Sequence, residues 1–408
     1  RLVVALLIPV ITLLQVWNIQ SFNIVDPMQI SLGRFILTPL HMHPYSLIFA
    51  TAFCIAAFAG ALFAVLQSRC SELVAGFIYA GSAIGVCFSG DFITLFIYWE
   101  IMAIASCVVI FTSTDPLAGR AGVRYAIVHF FGGVLLLAGI VGHISLSGSS
   151  ELVNFPTYMS ILFPGYGLDM NGAVTWLILL GLLVNAAAIP FSSWLPDSYP
   201  KASPGGSVFL SAFTTKTAVF VLLTIFSGAK ILIFFGLFMA FYGIIYAILE
   251  NDIRRVLSYS IINQVGFMLV GIGIGTDMAS NGVATHAFVH IIYKALLFMS
   301  AGSVVYMTGK NRLSDVGGLH RSMKITMICG TVGAMAIAAP YTSGFVSKTM
   351  VTTSAANEGY IVVWLLLLAA SAGGFFLAGF KVPWFTFFSK DSGLRPKDPP
   401  LNMRLAMI

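Results

Sequence analysis

The sequence predicts an all-α polytopic membrane protein, and three observations carry that prediction. Of the 408 residues, 58% are hydrophobic and only 9% are charged, whereas a soluble globular domain carries roughly 25% charged residues. Apolar runs long enough to cross a bilayer recur along the whole chain. The basic residues are divided unevenly between the connections of those runs. We therefore expect one membrane domain over 1–408 and no soluble domain.

The apolar runs give twelve candidate spans. A transmembrane helix needs about 20 residues, and runs of this kind lie at about 1–18, 46–66, 73–90, 91–112, 120–146, 171–196, 205–228, 230–249, 255–276, 283–307, 324–354 and 359–385. Two longer connections, 19–45 and 147–170, separate them. The second contains the semi-apolar stretch FPTYMSILFPG, which is predicted to lie along the membrane interface.

The basic residues support the order of these spans. Only Arg34 and Lys230 lie in the connections that follow odd-numbered spans. Such an imbalance is expected when spans are counted correctly and the basic connections face the cytoplasm. The net charge of +6 is then a topology signal, so no nucleic-acid partner is expected. The connections after even-numbered spans hold Arg69, Arg120, Arg124, Lys201, Arg254, Arg255, Lys310, Arg312, Arg321 and Lys324.

The two ends of the sequence carry basic residues as well, so both are expected on the cytoplasmic side. The chain begins with Arg1 on the flank of the first span, without a methionine or a signal peptide. It ends in LNMRLAMI, which resembles the first turn of a further span. We expect a fragment of a longer protein.

Short motifs recur in the same order in the two halves. AIVHFFGGVLLLAG (126–139) resembles AFVHIIYKALLFMSAG (287–302), which sets His129 against His290 and Gly133 against Lys294. AIPFSS (188–193) likewise resembles AAPYTS (338–343). An odd number of spans in each copy makes the copies run in opposite directions. Five spans in each copy give inverted repeats at about 73–228 and 230–385.

Prolines interrupt one span in each half. Pro190 and Pro196 fall in the sixth span, and Pro340 falls with Gly344 in the eleventh. Backbone groups freed by a break must be satisfied by neighbours or water, so broken membrane helices usually line a cavity. Paired breaks in corresponding halves indicate a transport site. Ordinary packing kinks are the alternative.

Four charged side chains fall well inside spans: Glu100, Lys216, Lys294 and Lys348. An ionisable residue at the bilayer centre costs about 2.5–3.5 kcal/mol on insertion scales, so these four are expected to face one another or water. Burial disfavours the charged form of such groups, which suits residues that gain and release protons. For any single one, snorkelling or packing is the alternative, and that alternative is strongest for Lys348.

Two histidines precede Lys294 on its helix at steps of four. His286, His290 and Lys294 then share one face over about 12 Å of helix axis. Because the unperturbed pKa of histidine is near 6.5, both histidines are predicted to relay protons between Lys216 and Lys294. Zinc ligation is the alternative for such a pair. No cysteine or carboxylate lies within a turn or two to complete a zinc site, so neither a metal nor a cofactor is expected.

Five segments carry a resemblance to a known family. The chain contains, in order, GDFITLFIYWEIM, IPFSSWLPDSYPKASPGGSVFLSAFTTKTAVFVLL, DIRRVLSYSIINQVGFML, HAFVHIIYKALLFMSAG and PYTSGFVSKTM. It thereby resembles the antiporter-like proton-translocating membrane subunits. These include membrane-arm subunits of respiratory complex I, subunits of membrane-bound hydrogenases and large subunits of multisubunit sodium/proton antiporters. The motifs look most like those of the D subunit of the multisubunit cation/proton antiporters.

The resemblance implies a fourteen-helix fold with two inverted five-helix repeats, each with a broken helix. This chain would then hold about twelve of those helices and lack the first and the last. The resemblance also implies a role for each candidate residue. By position, the half-channel glutamate is Glu100, the lysine bridging the halves is Lys216, the second half-channel holds His286, His290 and Lys294, and the exit lysine is Lys348.

One position departs from the pattern of that family. A lysine commonly precedes the proline of the first broken helix, whereas this chain has Asn185 in GLLVNAAAIP. The family's histidine after that proline is also absent, and Ser192 and Ser193 stand there. Because asparagine cannot carry a proton, the first half-channel is expected to conduct differently, to bind a cation or to be inactive. Asn185 and Asp91 are predicted to give polar support to the relay.

The leading functional hypothesis is a proton-translocating subunit of a larger membrane complex, coupled to exchange of a monovalent cation such as Na⁺. One alternative is a proton-pumping subunit of a redox-driven NADH:quinone oxidoreductase or hydrogenase complex. Another is a structural subunit whose conduction has lapsed. The chain has no redox motif, so it is not expected to transfer electrons itself. The expected partners are other membrane subunits and lipid, in an energy-transducing membrane such as the bacterial plasma (inner) membrane.

Overall fold

The computed structural model describes residues 2–21, 28–33, 35–155 and 170–408. Over these residues the chain is mostly helical, with one two-stranded sheet. The strands are β1 Met28–Leu32 and β2 Phe35–Leu40. The helices are α1 Leu2–Ser21, α2 Ser46–Ala64, α3 Cys70–Cys87, α4 Phe92–Phe111, α5 Ala118–Ser147, α6 Met170–Asn185, α7 Trp194–Ser198, α8 Pro204–Ala212, α9 Thr214–Ile225, α10 Ile231–Leu249, α11 Ile253–Ile274, α12 Asp277–Thr308, α13 Lys324–Met335, α14 Ser343–Asn357, α15 Ile361–Gly374 and α16 Leu401–Met407.

Shorter helical turns complete the chain. Single 3₁₀ turns occur at Phe191–Ser193, Tyr199–Lys201, Leu313–Asp315 and Leu319–Arg321, and α15 continues as π-helix through Phe375–Lys381 and Trp384–Phe388. Beyond its first residue, the stretch FPTYMSILFPG that was predicted at the interface lies outside the described residues.

The predicted fold class is confirmed. Within the described residues, ten helical stretches are long and apolar enough to cross a membrane. The sixth and eleventh predicted spans are not among these ten because each is broken into shorter helices. α6 gives way to single turns before α8, and a non-helical connection separates α13 from α14. These two broken helices and the ten stretches, one of which is divided at Phe213 into α8 and α9, account for the twelve predicted spans.

The basic connections meet at one end of the bundle. Lys201 lies 3.5 Å from Asp115, and Arg255 lies 3.5 Å from Asp197. Partly exposed ion pairs contribute about 0–1 kcal/mol, so these contacts show proximity more than stability. We call this region the basic end, and its connections are 112–117, 196–203, 250–252 and 309–313.

The opposite end carries a β-hairpin that the sequence did not predict. β1 and β2 pair as antiparallel strands. Thr38 N–H donates to Asp91 Oδ2 (2.6 Å), and Gly90 N–H donates to Thr38 O (2.9 Å), so β2 is fastened to the start of α4. We call this region the hairpin end. The helices therefore run alternately between two ends, as the charge pattern predicted.

Several features of the first half recur 161 residues later in the second. Asp91 caps α4 and Asp252 caps α11. Each aspartate also forms an isolated antiparallel bridge, with Glu151 and Arg312 respectively. Asp91 lies at the hairpin end and Asp252 at the basic end, as copies that run in opposite directions require. The boundaries of the inverted repeats stay a prediction.

α11 lies at the centre of the bundle, and each of its residues except Arg255 is buried. It approaches α10 closely where Gly236 faces Gly266, because a Cβ on either glycine would lie 2.5 Å from the carbonyl oxygen of the other. Small residues permit such close packing of membrane helices. The polar residues Ser260, Asn263 and Gln264 of α11 are therefore enclosed by protein. They place hydrogen-bonding groups in the middle of an otherwise apolar core.

Candidate functional site

The predicted relay residues are buried rather than turned toward lipid. Five of them are at most 2% exposed, and the sixth, Glu100, is half-buried with its Oε1 atom enclosed. The five come from three helices: Lys216 from α9, His286, His290 and Lys294 from α12, and Lys348 from α14. Pairwise electrostatic interactions connect them. We call these five residues the polar axis.

Lys216 lies just after a break that the sequence did not predict. The span expected at 205–228 is divided at Phe213, which separates α8 from α9. Lys216 Nζ reaches back across the break and donates to Ser211 O (2.6 Å). A carbonyl that a continuous helix would use internally is thus satisfied by the lysine, and the lysine is held inside the bundle.

His286 joins α12 to two other helices. Its Nε2 donates to Gln264 Oε1 of α11 (3.2 Å), and its Nδ1 lies 2.8 Å from Ser347 Oγ of α14. The Ser347 hydroxyl also lies within donating distance of Ser343 O (3.0 Å). A hydroxyl can donate and accept, so this environment can hold the ring with or without a proton on Nδ1.

His290 and Lys294 continue the axis along α12. Lys294 Nζ donates to Ser260 Oγ (2.7 Å) and to Leu257 O (3.4 Å), both on α11. The His290 ring lies between, with its centroid 5.9 Å from that of His286. Neither nitrogen of His290 has a hydrogen-bond partner among the residues that the structure describes. His290 interacts electrostatically with the lysines on both sides of it.

Lys348 completes the axis on the second broken helix. It lies one turn into α14, and its Nζ is 4.9 Å from the centroid of the Phe267 ring. No hydrogen-bond partner for this ammonium group is found in the described part of the chain. A cation over an aromatic face is attracted by about 0.5–2 kcal/mol. That attraction compensates only part of the cost of burying a charge.

Both predicted helix breaks are present. Pro190 follows the end of α6, and Trp194 Nε1–H donates to Val184 O in the last turn of that helix (3.0 Å). Pro196 lies within the short α7. Before α14, Thr342 Oγ1 donates to Ala339 O (2.7 Å).

Gly344, at the start of α14, lies tightly against the end of α13. A Cβ at this position would overlap the carbonyl oxygens of Ala336 and Ile337. Pro340 lies in the connection between the two helices. The break therefore depends on close backbone contact that no residue with a side chain permits.

Glu100 lies against α5, away from the five residues of the polar axis. A Cβ on Gly133 would overlap Glu100 Oε1, so the carboxyl group occupies the space that this glycine leaves. Asn185, the last residue of α6, is completely buried, and its amide makes no hydrogen bond within the described residues. Asp91 accepts bonds from Ile93 N–H and Thr94 N–H (2.9 Å each). Asp91 thus supports the helix of Glu100 from its first turn, not the carboxyl group itself.

A charged cleft at the basic end is separate from the axis. Its volume is about 490 Å³, and no residue of the axis lines it. Burial raises the pKa of Asp252 in this cleft, although the N–H of Arg255 and the charge of Arg254 lower it. Five basic residues line the cleft: Arg120, Arg124, Lys201, Arg255 and Arg312.

Sequence reasoning missed the uncharged partners of the axis. Gln264, Ser260 and Ser347 hold His286 and Lys294, but none was named as a candidate. Gln264 with Asn263 could have been noticed as an amide pair inside an apolar span. The serines carry no comparable signal, because a hydroxyl in a membrane helix can bond to its own backbone.

A family model described as NADH:quinone oxidoreductase/Mrp antiporter, TM matches residues 89–373. The D subunit of the Na⁺/H⁺ antiporter of Alkalihalophilus pseudofirmus is 29% identical over 298 residues, covering 69% of this chain and 59% of that protein. The chain spans between 34% and 59% of the length of the first three curated relatives that it matches.

Two solved structures share the fold. A chain of the membrane-bound sulfane sulfur reductase, an archaeal respiratory membrane complex, gives a TM-score of 0.87 at 26% identity, covering 100% of this chain and 70% of that chain. A chain of the Mrp complex from Dietzia sp. DQ12-45-1b gives 0.82 at 20% identity, covering 96% and 76%. The family model covers well over half of the chain, from the start of α4 to the end of α15. The protein therefore belongs to the NADH:quinone oxidoreductase/Mrp antiporter transmembrane family, as its motifs predicted, and is an antiporter-like multi-pass membrane subunit.

Proposed function

We propose that this chain translocates protons along the polar axis, as one subunit of a larger membrane complex that exchanges a monovalent cation for H⁺. The observation that carries the proposal is the enclosure of three lysines and two histidines from α9, α12 and α14 in one electrostatically connected group. Ionisable residues inside a membrane are costly and mark ion pathways in most proteins that retain them. Apolar residues would pack this core without the free-energy cost of burying five ionisable groups. The five are therefore better explained by a function than by packing.

The arrangement supports stepwise transfer. Like charges repel strongly in a low-dielectric interior, so protonation of one member of the axis disfavours protonation of its neighbours. A proton that arrives at Lys216 therefore favours proton release from His290 or Lys294. The Ser260 hydroxyl and the Leu257 carbonyl keep Lys294 Nζ in place during this cycle. His286 and Ser347 extend the path toward Lys348.

The coupling to a cation is inferred from similarity to the D subunit of the Na⁺/H⁺ antiporter. Redox-driven pumping is the second candidate, and the likeness to a chain of an archaeal respiratory membrane complex favours it. Vesicles that contain the assembled complex distinguish the two. Acidification of the vesicle interior by an imposed Na⁺ gradient supports antiport. Acidification of the interior that requires an electron donor supports redox coupling.

Substitution of Lys294 by alanine tests the proposal. We expect Lys294→Ala to lower proton flux in inverted membrane vesicles about a hundredfold, the lower limit of what a positioned proton donor contributes. Native gels should show an intact complex. The matched control is Lys230→Ala, because Lys230 lies exposed at a helix start over the Tyr360 ring and should leave flux unchanged.

The third hypothesis, a structural subunit, is motivated by Asn185. It requires that Lys294→Ala retain full flux and that Asn185→Lys bring no gain. Full flux in the Lys294→Ala complex would reject the relay and favour that view.

A further inference from the structure

We propose that His129 is the proton carrier of the first half of this chain and that it works with Glu100 across the face of α5 that Gly133 leaves open. The inference rests on the proposed function and adds a residue to it. His129 lies outside the polar axis. Three observations support this role of His129: the surroundings of its ring, the position of Glu100 and a cluster of hydroxyl groups near the start of α9.

The His129 ring is enclosed by aromatic side chains. Its centroid lies 3.9 Å from that of Tyr125 and 4.5 Å from that of Trp194. The side chain is 1% exposed, and neither ring nitrogen has a hydrogen-bond partner within the described ranges. A buried polar group without a partner costs about 1–3 kcal/mol. If the residue served packing alone, phenylalanine would fill this site without that cost. We therefore infer that the imidazole nitrogens have a function.

Two other polar groups lie near this part of α5. Gly133 is one turn further along α5, about 6 Å along the axis, and the Glu100 carboxyl group lies against it. The Asn185 side chain interacts with the His129 ring but does not reach hydrogen-bond geometry. Each of these three side chains thus has an enclosed polar atom without a protein partner among the described residues. Buried polar atoms of this kind are rare in native proteins, so Glu100, His129 and Asn185 mark one polar site beside α5.

A cluster of hydroxyl groups lies beside the His129 ring and reaches the start of α9, the helix of Lys216. Tyr125, whose ring stacks on His129, donates to Ser106 Oγ (3.0 Å) and lies 3.4 Å from Thr214 Oγ1. Tyr79 OH lies 2.5 Å from the same Thr214 Oγ1. Thr214 is the first residue of α9, two residues before Lys216. Groups that can donate and accept hydrogen bonds therefore occupy the space between the His129 ring and the start of α9.

The second half offers a direct comparison 161 residues later. His290 stands at the position of His129, and Lys294 stands at that of Gly133. The imidazole is thus present in both halves. The lysine of the second half is replaced by a glycine whose free space holds the carboxyl group of Glu100. The first half pairs a histidine with an acid, and the second pairs a histidine with a base.

The test is proton flux in vesicles that contain the assembled complex with His129→Phe or His129→Gln. Phenylalanine keeps the aromatic packing and glutamine keeps a polar group, but neither carries a proton at neutral pH. We expect both variants to lower flux about a hundredfold. The matched control is His143→Phe on the same helix, because the His143 ring meets Phe92 and Phe155 edge-on and lies ten residues beyond Gly133. His143→Phe should keep wild-type flux.

A rescue experiment separates proton carriage from packing. Asn185→Lys in the His129→Gln background places a titratable group beside the vacated position. Recovery of at least about a tenth of wild-type flux is expected, and a purely structural histidine would not be rescued in this way. Wild-type flux in either single variant, or no rescue in an intact complex, would overturn the inference.

Lys294→Ala, measured in the same experiment, keeps the two proposals distinguishable. If Lys294→Ala loses flux while His129→Phe and His129→Gln keep it, only the role of His129 is wrong. If Lys294→Ala keeps flux, the proposed function itself fails.

Discussion

At the scale of single residues, the protein shows how a membrane interior holds charged groups. Lys294 has two oxygen partners, whereas Lys348 has an aromatic face and no hydrogen bond among the described residues. Neither side chain snorkels, because both are buried inside the bundle. The alternative of snorkelling was strongest for Lys348, and the structure does not support it there. Because the two ammonium groups have different surroundings, the two lysines are expected to differ in proton affinity.

Gly133 provides a prediction at this scale. A Cβ at residue 133 would overlap Glu100 Oε1, so Gly133→Ala must displace the carboxyl group. We expect flux to fall at least about tenfold, since misplacement of a reacting group by 1 Å can cost a hundredfold. Proton flux in vesicles measures the effect. Gly119→Ala on the same helix is the control, because a Cβ there meets open space. Equal flux in both variants would show that the position of Glu100 is unimportant.

At the scale of helices and strands, the helix breaks position several residues of the candidate site. Three carbonyls beside the breaks accept a hydrogen bond from a side chain: Ser211 O from Lys216, Val184 O from Trp194 and Ala339 O from Thr342. In lipid, an unsatisfied carbonyl would cost several kcal/mol. The breaks are therefore stable features that bring polar groups into the core, not defects in packing.

The cap of α4 gives a second prediction, now about stability. Asp91 is buried and accepts bonds from the N–H groups of Thr38, Ile93 and Thr94. We expect Asp91→Ala to lower the free energy of unfolding by about 1–2 kcal/mol, the usual effect of losing such a cap. Hydrogen exchange in the first turn of α4 should accelerate. Asp315→Ala is the control, because Asp315 is exposed and accepts a bond from its neighbour Ser314. Unchanged exchange in Asp91→Ala would contradict this role.

The sequence was most informative where burial is expensive. The lengths of the apolar runs located the spans, and the charged residues inside them located the polar axis. Both patterns are visible in a sequence because placing polar or charged groups in lipid costs much free energy. The break at Phe213 could not be found in this way, since no proline or glycine marks it. The hairpin was missed because the connection 19–45 was judged only by its length. Ser260 and Ser347 become part of the site only through contacts between distant helices.

At the scale of the whole molecule, the two halves differ in chemistry while they agree in layout. The second half holds His290 and Lys294, and the first holds His129 and Glu100. Lys216 interacts electrostatically with His290 and Lys294. It also lies two residues after Thr214, whose hydroxyl group is 3.4 Å from that of Tyr125. On the proposed function, the proton path through the protein depends on this one lysine.

Proton flux through the purified complex in proteoliposomes, with Lys216 replaced by alanine, tests this dependence most directly. The account predicts that Lys216→Ala lowers flux about a hundredfold although the complex stays intact, because the two halves are then disconnected. Wild-type flux in an intact Lys216→Ala complex would contradict it.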